Sequence, residues 1–350
     1  MPEGRDRERQ ELAVLEAMAA PLTARDGYAS PALQQTLERS IVLAERLGRE
    51  DSVLTGLVGL WASRFVQGRT ADGYQVAARA LALAEPGARF AGQAHFAVGG
   101  SAVSLGMPAE GLRHLELAAK LAAGAASLSI GTRSDVHATA WAAHAHWLLG
   151  QDDEALAACR EAITMARAIG HPYSLAVALA YGAITHQMRG DLPGLRETVD
   201  EVRELCRRYD FAYYREWALI FDGWSAATGP GTDLAERGID NLKSAGAFAR
   251  MPYWLSLLAD LSAREGRPAA SAASRVARAA AGRAREDVWW LPEVMRMRAV
   301  YDDEQAAAGR LRAAAELASA HGSVALLRRC EKDLLSRGVR LSGGDARGRE

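Results

Sequence analysis

Residues 133–170, RSDVHATAWAAHAHWLLGQDDEALAACREAITMARAIG, hold two helical patterns on either side of a glycine turn. In the first, Val136, Ala140, Ala143 and Trp147 recur at three- and four-residue steps; in the second, Ala155, Cys159, Ala162 and Ala166 do the same. Gly150-Gln151-Asp152 is too short to join them as anything but an antiparallel hairpin. Ala143, Ala155 and Ala162 are small enough to let the two helices approach closely. A single hairpin cannot bury its apolar faces alone, so the pattern calls for neighbouring copies.

Comparable turns lie at Gly68, Gly106, Gly190, Gly229 and Gly266, and the gaps along the series are 38, 44, 40, 39 and 37 residues. Each gap holds a return helix, a short link and the next outgoing helix, with no alternating strand pattern. This spacing predicts an all-α solenoid of about seven antiparallel helical hairpins. The first helix is expected over Gln10–Ala20, with its partner starting at Ser30-Pro31, where serine caps and proline's missing N–H is harmless. Residues 1–8 read as a solvated leader, 9–336 as one repeat domain closed by a capping helix at 324–336, and 337–350 as a disordered tail. The glycine- and serine-containing link 123–132 is the expected mobile loop within the array.

Composition narrows the function classes. Across 350 residues, 42 basic side chains balance 43 acidic ones, so the total charge offers no attraction to nucleic acid or an anionic membrane. Cys159, Cys206 and Cys330 are too scattered for a metal motif or a disulfide framework. The opening MPEGRDRERQE lacks the apolar run of a signal peptide, and no stretch reaches the roughly 18 apolar residues of a membrane span. These features point to the cytoplasm; the oligomeric state has no sequence signal.

The stretch AWAAHAHWLLGQDDEALAACREAI, with Gly150 at the turn and Ala155 and Ala162 at the helix contact, resembles the tetratricopeptide-repeat (TPR) family. PLTARDGYASPALQQTLERSIVLAERLG (21–48) and AIGHPYSLAVAL (168–179) resemble the C-terminal repeat region of large bacterial STAND-type ATPase regulators, which carry a LuxR-type DNA-binding or a nucleotidyl-cyclase domain. The resemblance implies a right-handed superhelical, TPR-like stack whose outgoing helices line a concave groove. It does not bring the regulators' activities with it. No GxxxxGK[ST] loop occurs, GPG at 229–231 and SGG at 342–344 lack the lysine and the preceding strand, and no helix-turn-helix follows Ser336.

Counting back from the turn glycines by the family's pattern places Phe65, Gln93, Phe96, His137, His144, Gln187, Glu216, Tyr253 and Asp260 on the groove. Rings for contact area and polar tips for register suit a protein or peptide partner, hence a non-enzymatic scaffold in bacterial signalling or transcriptional regulation. The alternatives are a sensor of a small apolar ligand and an enzyme working in the groove. Catalysis has little to build on. His137 and His144 share a helix face but lie roughly 10 Å apart, too far to bind one metal ion, and no HExxH occurs. The pairs Glu216/Asp222 and Asp260/Glu265 have no diagnostic spacing, no Gly-x-Ser-x-Gly elbow is present, and Cys159 holds an alanine-like packing position. No cofactor, metal or catalytic residue is assigned. Arg264, Arg267, Arg275, Arg278, Arg283 and Arg285 cluster in one hairpin, but interspersed acids and the convex position of two of them read as a solvated outer face. Tyr214, Trp217, Phe221 and Trp224 form an aromatic stripe that is either inter-repeat core or a partner site, and Trp289-Trp290 pose the same choice.

Overall fold

A computed structural model describes residues 4–84, 90–122, 131–226, 231–281 and 286–339. Among them, seventeen α-helices form eight antiparallel hairpins and a cap. The pairs are α1 (Arg5–Asp26) with α2 (Pro31–Leu47), α3 (Glu50–Val66) with α4 (Thr70–Leu83), and α5 (Ala91–Ser104) with α6 (Pro108–Leu121). Next come α7 (Ser134–Leu148) with α8 (Asp152–Ile169), α9 (Pro172–Arg189) with α10 (Leu192–Tyr209), and α11 (Ala212–Ser225) with α12 (Gly231–Ser244). The last are α13 (Met251–Arg264) with α14 (Ala269–Ala281), α15 (Leu291–Arg298) with α16 (Glu304–Ala320), and the cap α17 (Val324–Ser336). Sequential hairpins stack as a solenoid.

The turn glycines share one geometry. Gly68, Gly106, Gly150, Gly190 and Gly266 all sit at φ between 66° and 80°. Each donates its N–H to the carbonyl three residues back, and the next residue donates to the carbonyl five back, as in Phe65–Gly68 and Arg64–Arg69. This satisfies the last helical carbonyls and turns the chain in a conformation that costs glycine least. Gly229 falls outside the described residues, as do most of the expected mobile link (123–130) and tail residues 340–350.

The first helix starts at Arg5, within the stretch expected as a leader. Its charges are used: Arg39 on α2 donates to Glu11 at 2.7 Å, and Arg46 pairs with Glu8 at 3.7 Å. The helix also runs through Pro21 instead of stopping at Ala20. Burial of Leu22 beside Ala19, Leu33 and Leu37 outweighs the backbone bond that proline forfeits.

Outer and inner helices differ in kind. On α10 the buried positions Leu195, Thr198, Val199, Val202 and Cys206 form one stripe. On α7 every residue except His146 is buried, and α3, α5, α9 and α13 are nearly as enclosed. A helix that is apolar all round needs cover on its inner side too. The second half of the chain provides it. Val66 C=O, at the end of α3, accepts N–H bonds from Phe248 (2.7 Å) and Ala249 (3.0 Å), and Ser104 C=O, at the end of α5, accepts them from Val288 (2.8 Å) and Trp289 (3.2 Å). His321 lies against Gly106, Val324 against Gly150, and Arg329 donates to Met188 C=O at 2.8 Å. The superhelix thus closes onto itself.

Close helix approach has its own test. A Cβ at Gly223 of α11 would lie 2.4 Å from the Gly231 carbonyl oxygen and 2.9 Å from the Ala235 nitrogen, both main-chain atoms that no rotamer change can move. Gly223→Ala is therefore expected to destabilise by about 2 kcal/mol, the overpacking outweighing alanine's helix propensity. Gly309→Ala on α16, where a Cβ meets nothing within 4 Å, is expected to raise the melting temperature slightly. Equal melting shifts for the two variants would refute the close contact.

Candidate functional site

The enclosed interior is aromatic. Trp61 and Phe65 come from α3, Phe96 from α5, His137 and Trp141 from α7, Tyr181 from α9, and Tyr213, Tyr214 and Trp217 from α11. Small residues make room for them: a Cβ at Gly100 would lie 2.5 Å from the Trp141 ring. Trp141 lies 5.2 Å from Phe65, 5.9 Å from Phe96 and 5.5 Å from Tyr181, measured between ring centroids. Trp61 is fixed by donating Nε1–H to Ser101 at 2.7 Å.

Two links close the chamber. The α1–α2 link carries Tyr28, whose ring meets Tyr213 edge-on at 5.6 Å and whose hydroxyl accepts from Tyr173 at 3.0 Å. The α12–α13 link, held to Val66, delivers Arg250. Its guanidinium is surrounded by Trp141, Tyr181, Trp217 and Phe65, at 4.7, 4.9, 5.1 and 5.7 Å from the ring centroids, and donates to the Tyr181 hydroxyl at 3.0 Å. Arg250 is buried and stands at φ 59°, a left-handed conformation uncommon for a side chain of this size. Its main-chain N–H donates to the Asp287 carboxylate, and burial pushes Asp287 up to about 6.

A cavity of about 30 Å³ lies between Arg250, His137, Phe96, Trp141 and the tyrosines. It is separated by Tyr28, Val66 and Tyr213 from an outer cleft of about 410 Å³, bounded also by Asp26, Arg215, Glu216, Asn241 and Ala245.

The expected groove residues are distributed over this arrangement. Phe65, Phe96 and His137 come together on the chamber wall. His144 is behind it, stacked on Tyr181 and hydrogen-bonded to the Tyr181 carbonyl at 3.0 Å. Glu216 lies on the outer cleft, accepting from Asn241 at 2.7 Å and pairing with Arg215 at 3.1 Å. Tyr253 donates to Gln187 at 2.7 Å, and Asp260 stands apart, accepting from Trp224 at 2.8 Å. Gln93 is buried with neither amide atom hydrogen-bonded. Gln187 and Asp260 retain partial exposure, whereas the other seven are buried by the chain's own side chains, so the open inner strip expected for them is absent. Phe65 is covered by Arg250, on the link docked to the end of α3, and His144 by Tyr181 of α9. Trp289 and Trp290 are both buried, because they occupy a turn before α15 where adjacent side chains need not diverge.

Charge inside the chamber is tightly controlled. Burial, aided by Arg250's charge, lowers His137 and His144 to about 3, so both are neutral near pH 7. Burial raises Cys159 to about 11 and Cys206 and Cys330 to about 12, leaving protonated, weakly nucleophilic thiols. Among the described residues no group of three His, Cys, Asp or Glu is placed to hold a metal ion, and no helix is long and apolar enough to cross a membrane.

Sequence reasoning missed Arg250, Tyr28, Trp141 and Tyr181. For Arg250 the available signal was a lone cation in GAFARMPYW, an otherwise apolar link.

No protein-family model matches the chain. An uncharacterized protein of Rhizobium meliloti (strain 1021) is 29% identical over 204 residues, covering 55% of this chain; the chain spans only 20% of that relative's length. Among solved structures, a Rap protein complexed with competence and sporulation factor superimposes with a TM-score of 0.57 at 14% identity, over 86% of this chain and 76% of that one. TPR-like repeats of a putative kinesin light chain from Podosopora anserina align at 17% identity with a TM-score of 0.39, over 60% of this chain and 99% of that one. The fold is that of a TPR-like helical solenoid.

Proposed function

We propose that the chain is a non-catalytic regulatory binding module that holds a compact ligand inside the superhelix, admitted through the cleft beneath Tyr28 and Tyr213. The observation that carries this reading is the cover over the inner wall. An open strip would suit an extended peptide, whereas an enclosed aromatic chamber with a few polar groups suits a small molecule. Binding that draws Tyr28 and Tyr213 together would stabilise the contacts between the two halves of the superhelix. That provides a way to transmit occupancy.

Thermal-shift screening of metabolite-sized compounds tests it, with Ala212→Trp as the variant that fills the outer cleft. A ligand present at about a hundred times its Kd should add about 2.7 kcal/mol to wild type. Loss of that effect in Ala212→Trp is the expected result. Hits that stabilise both proteins equally would place their site elsewhere and remove the chamber from the proposal.

The likeness to the Rap complex favours a second reading, in which the occupant is a protein or peptide partner, as first expected for the groove. A partner longer than the chamber would have to part the halves at the Val66–Phe248 and Ser104–Val288 contacts. Amide exchange at Phe248, Ala249 and Val288 should then accelerate in the complex. Unchanged or slower exchange there would favour the compact ligand.

A further inference from the structure

Arg250 is an unusual residue to enclose. A buried cation is costly unless an opposite charge meets it. Among the described residues, however, its guanidinium forms no ion pair with a carboxylate. Asp287, the nearby acid, accepts the main-chain N–H of Arg250. Four aromatic faces and one tyrosine hydroxyl surround the guanidinium and engage one of its five N–H donors. The backbone is also held at a positive φ to place it there. Strain of this kind persists where the surroundings dictate a position, and such positions concentrate at ligand sites.

A second polar group faces the same cavity without a partner. His137 is 6% exposed, lines the cavity, and has no hydrogen bond at Nδ1 or Nε2. A neutral imidazole carries one N–H to donate. The cavity beside these groups, about 30 Å³, accommodates a group of a few atoms, and only the side chains of Tyr28, Val66 and Tyr213, which line both spaces, stand between it and a cleft large enough for an organic body. The cleft itself offers no spare cation, since Arg215 is paired with Asp210 and Glu216.

Resting on the chamber reading above, we propose that Arg250 anchors the carboxylate of a small organic acid, with His137 donating a second hydrogen bond and the acid's body lying in the outer cleft. A planar carboxylate matches the guanidinium fork. A phosphate is disfavoured by its bulk in a cavity of about 30 Å³. The carboxylate can belong to a free acid or to the end of a short peptide, and the two sources are separable.

The test is calorimetric titration and thermal shift of the full chain with benzoate, phenylacetate, indole-3-acetate and isovalerate, each against its primary amide. A tripeptide with a free or amidated C-terminus and sodium chloride alone complete the panel. At least one free carboxylate is expected to bind tenfold or more tightly than its amide. Arg250→Met should abolish that preference while keeping or raising the urea midpoint, because an unpaired buried charge is replaced by a side chain of similar length. If Arg250→Met melts early, Arg250→Lys keeps the charge but loses the fork, and it should bind the acid at least threefold more weakly. Binding by the free acids alone assigns a metabolite; binding by the free-carboxyl tripeptide alone assigns a chain end.

Acids and amides binding equally, Arg250→Met binding acids as wild type does, or chloride giving the same thermal shift would each overturn the assignment. If Ala212→Trp blocks acids and amides alike, the chamber stands and only the anion anchor falls. If no member of the panel binds at about 10 mM, a Kd weaker than any useful sensor needs, the carboxylate assignment falls and the library screen alone decides the chamber.

Discussion

Trp217→Ala is expected to cost about 4 kcal/mol, because the ring packs at once against side chains from α9, α11, α13 and the link that carries Arg250. It is 1% exposed, with ring centroids of Tyr214, Tyr213, Trp254 and Tyr181 at 5.2, 5.3, 5.1 and 5.6 Å. The Arg250 guanidinium stands 5.1 Å from its centroid. Removing an indole from a close-packed interior loses the transfer free energy and leaves a void that neighbours fixed on four different elements cannot fill. The edge-to-face contact with Tyr214 adds to the loss. Trp217→Phe keeps a ring in the site and should lose less than half as much. Trp224, on the same helix but partly exposed, should cost under about 2 kcal/mol when truncated. Urea midpoints of the three variants check the ordering. A Trp217→Ala midpoint no lower than that of Trp224→Ala would mean that the interior is not packed as described.

The hairpin array was legible because its signals are local. Each turn glycine closes its helix by the same pair of backbone bonds, and each return helix keeps one apolar stripe, so period and pairing can be read from spacing alone. The closure of the interior was harder to see because it depends on contacts between distant segments. Tyr28, Phe248, Arg250 and Val288 sit in links that have no periodicity to reveal what they touch. One clue was present in the inner helices themselves. A helix facing an open groove should keep a polar strip toward water, yet HATAWAAHAHWL and SLAVALAYGAIT offer little beyond histidine and hydroxyls. The nine groove positions followed from counting along hairpins, which identifies the inward face but not whether another part of the chain covers it. The helix start at Arg5 was hidden for a related reason: residues 4–7 are exposed, as a solvated leader would be, and among the described residues of that stretch only Glu8 meets the partner helix, at Arg46.

Acid should weaken the fold well before its surface carboxylates are neutralised. His137 and His144 have folded-state values lowered to about 3 by burial and by Arg250, against an ordinary value of 6.5. In the unfolded chain both take up protons as pH falls past 6.5, while in the folded chain they stay neutral. The unfolded state therefore binds more protons between about 6.5 and 3, and stability falls with pH across that window. With a slope that approaches about 1.4 kcal/mol per pH unit for each group once the unfolded chain is protonated, the two histidines together cost about 4 kcal/mol between pH 7 and 5. Asp287 opposes them. Burial raises its folded value to about 6 from an ordinary 3.8, so the folded state gains its proton first and recovers about 1 kcal/mol between pH 6 and 5. The net expectation is a loss of about 3 kcal/mol on going from pH 7 to pH 5, seen as a lower urea midpoint. His144→Gln should remove about 2 kcal/mol of that dependence, and Asp287→Asn should steepen the loss. A carboxylate bound at Arg250 would change the balance in a defined direction, because its charge favours a protonated His137, raises the folded-state value, and so narrows the acid-sensitive window from its acid side and reduces the stability lost by pH 5. A midpoint that stays level from pH 7 to pH 5 would mean that the histidines reach water, and the enclosed chamber would have to be abandoned with them.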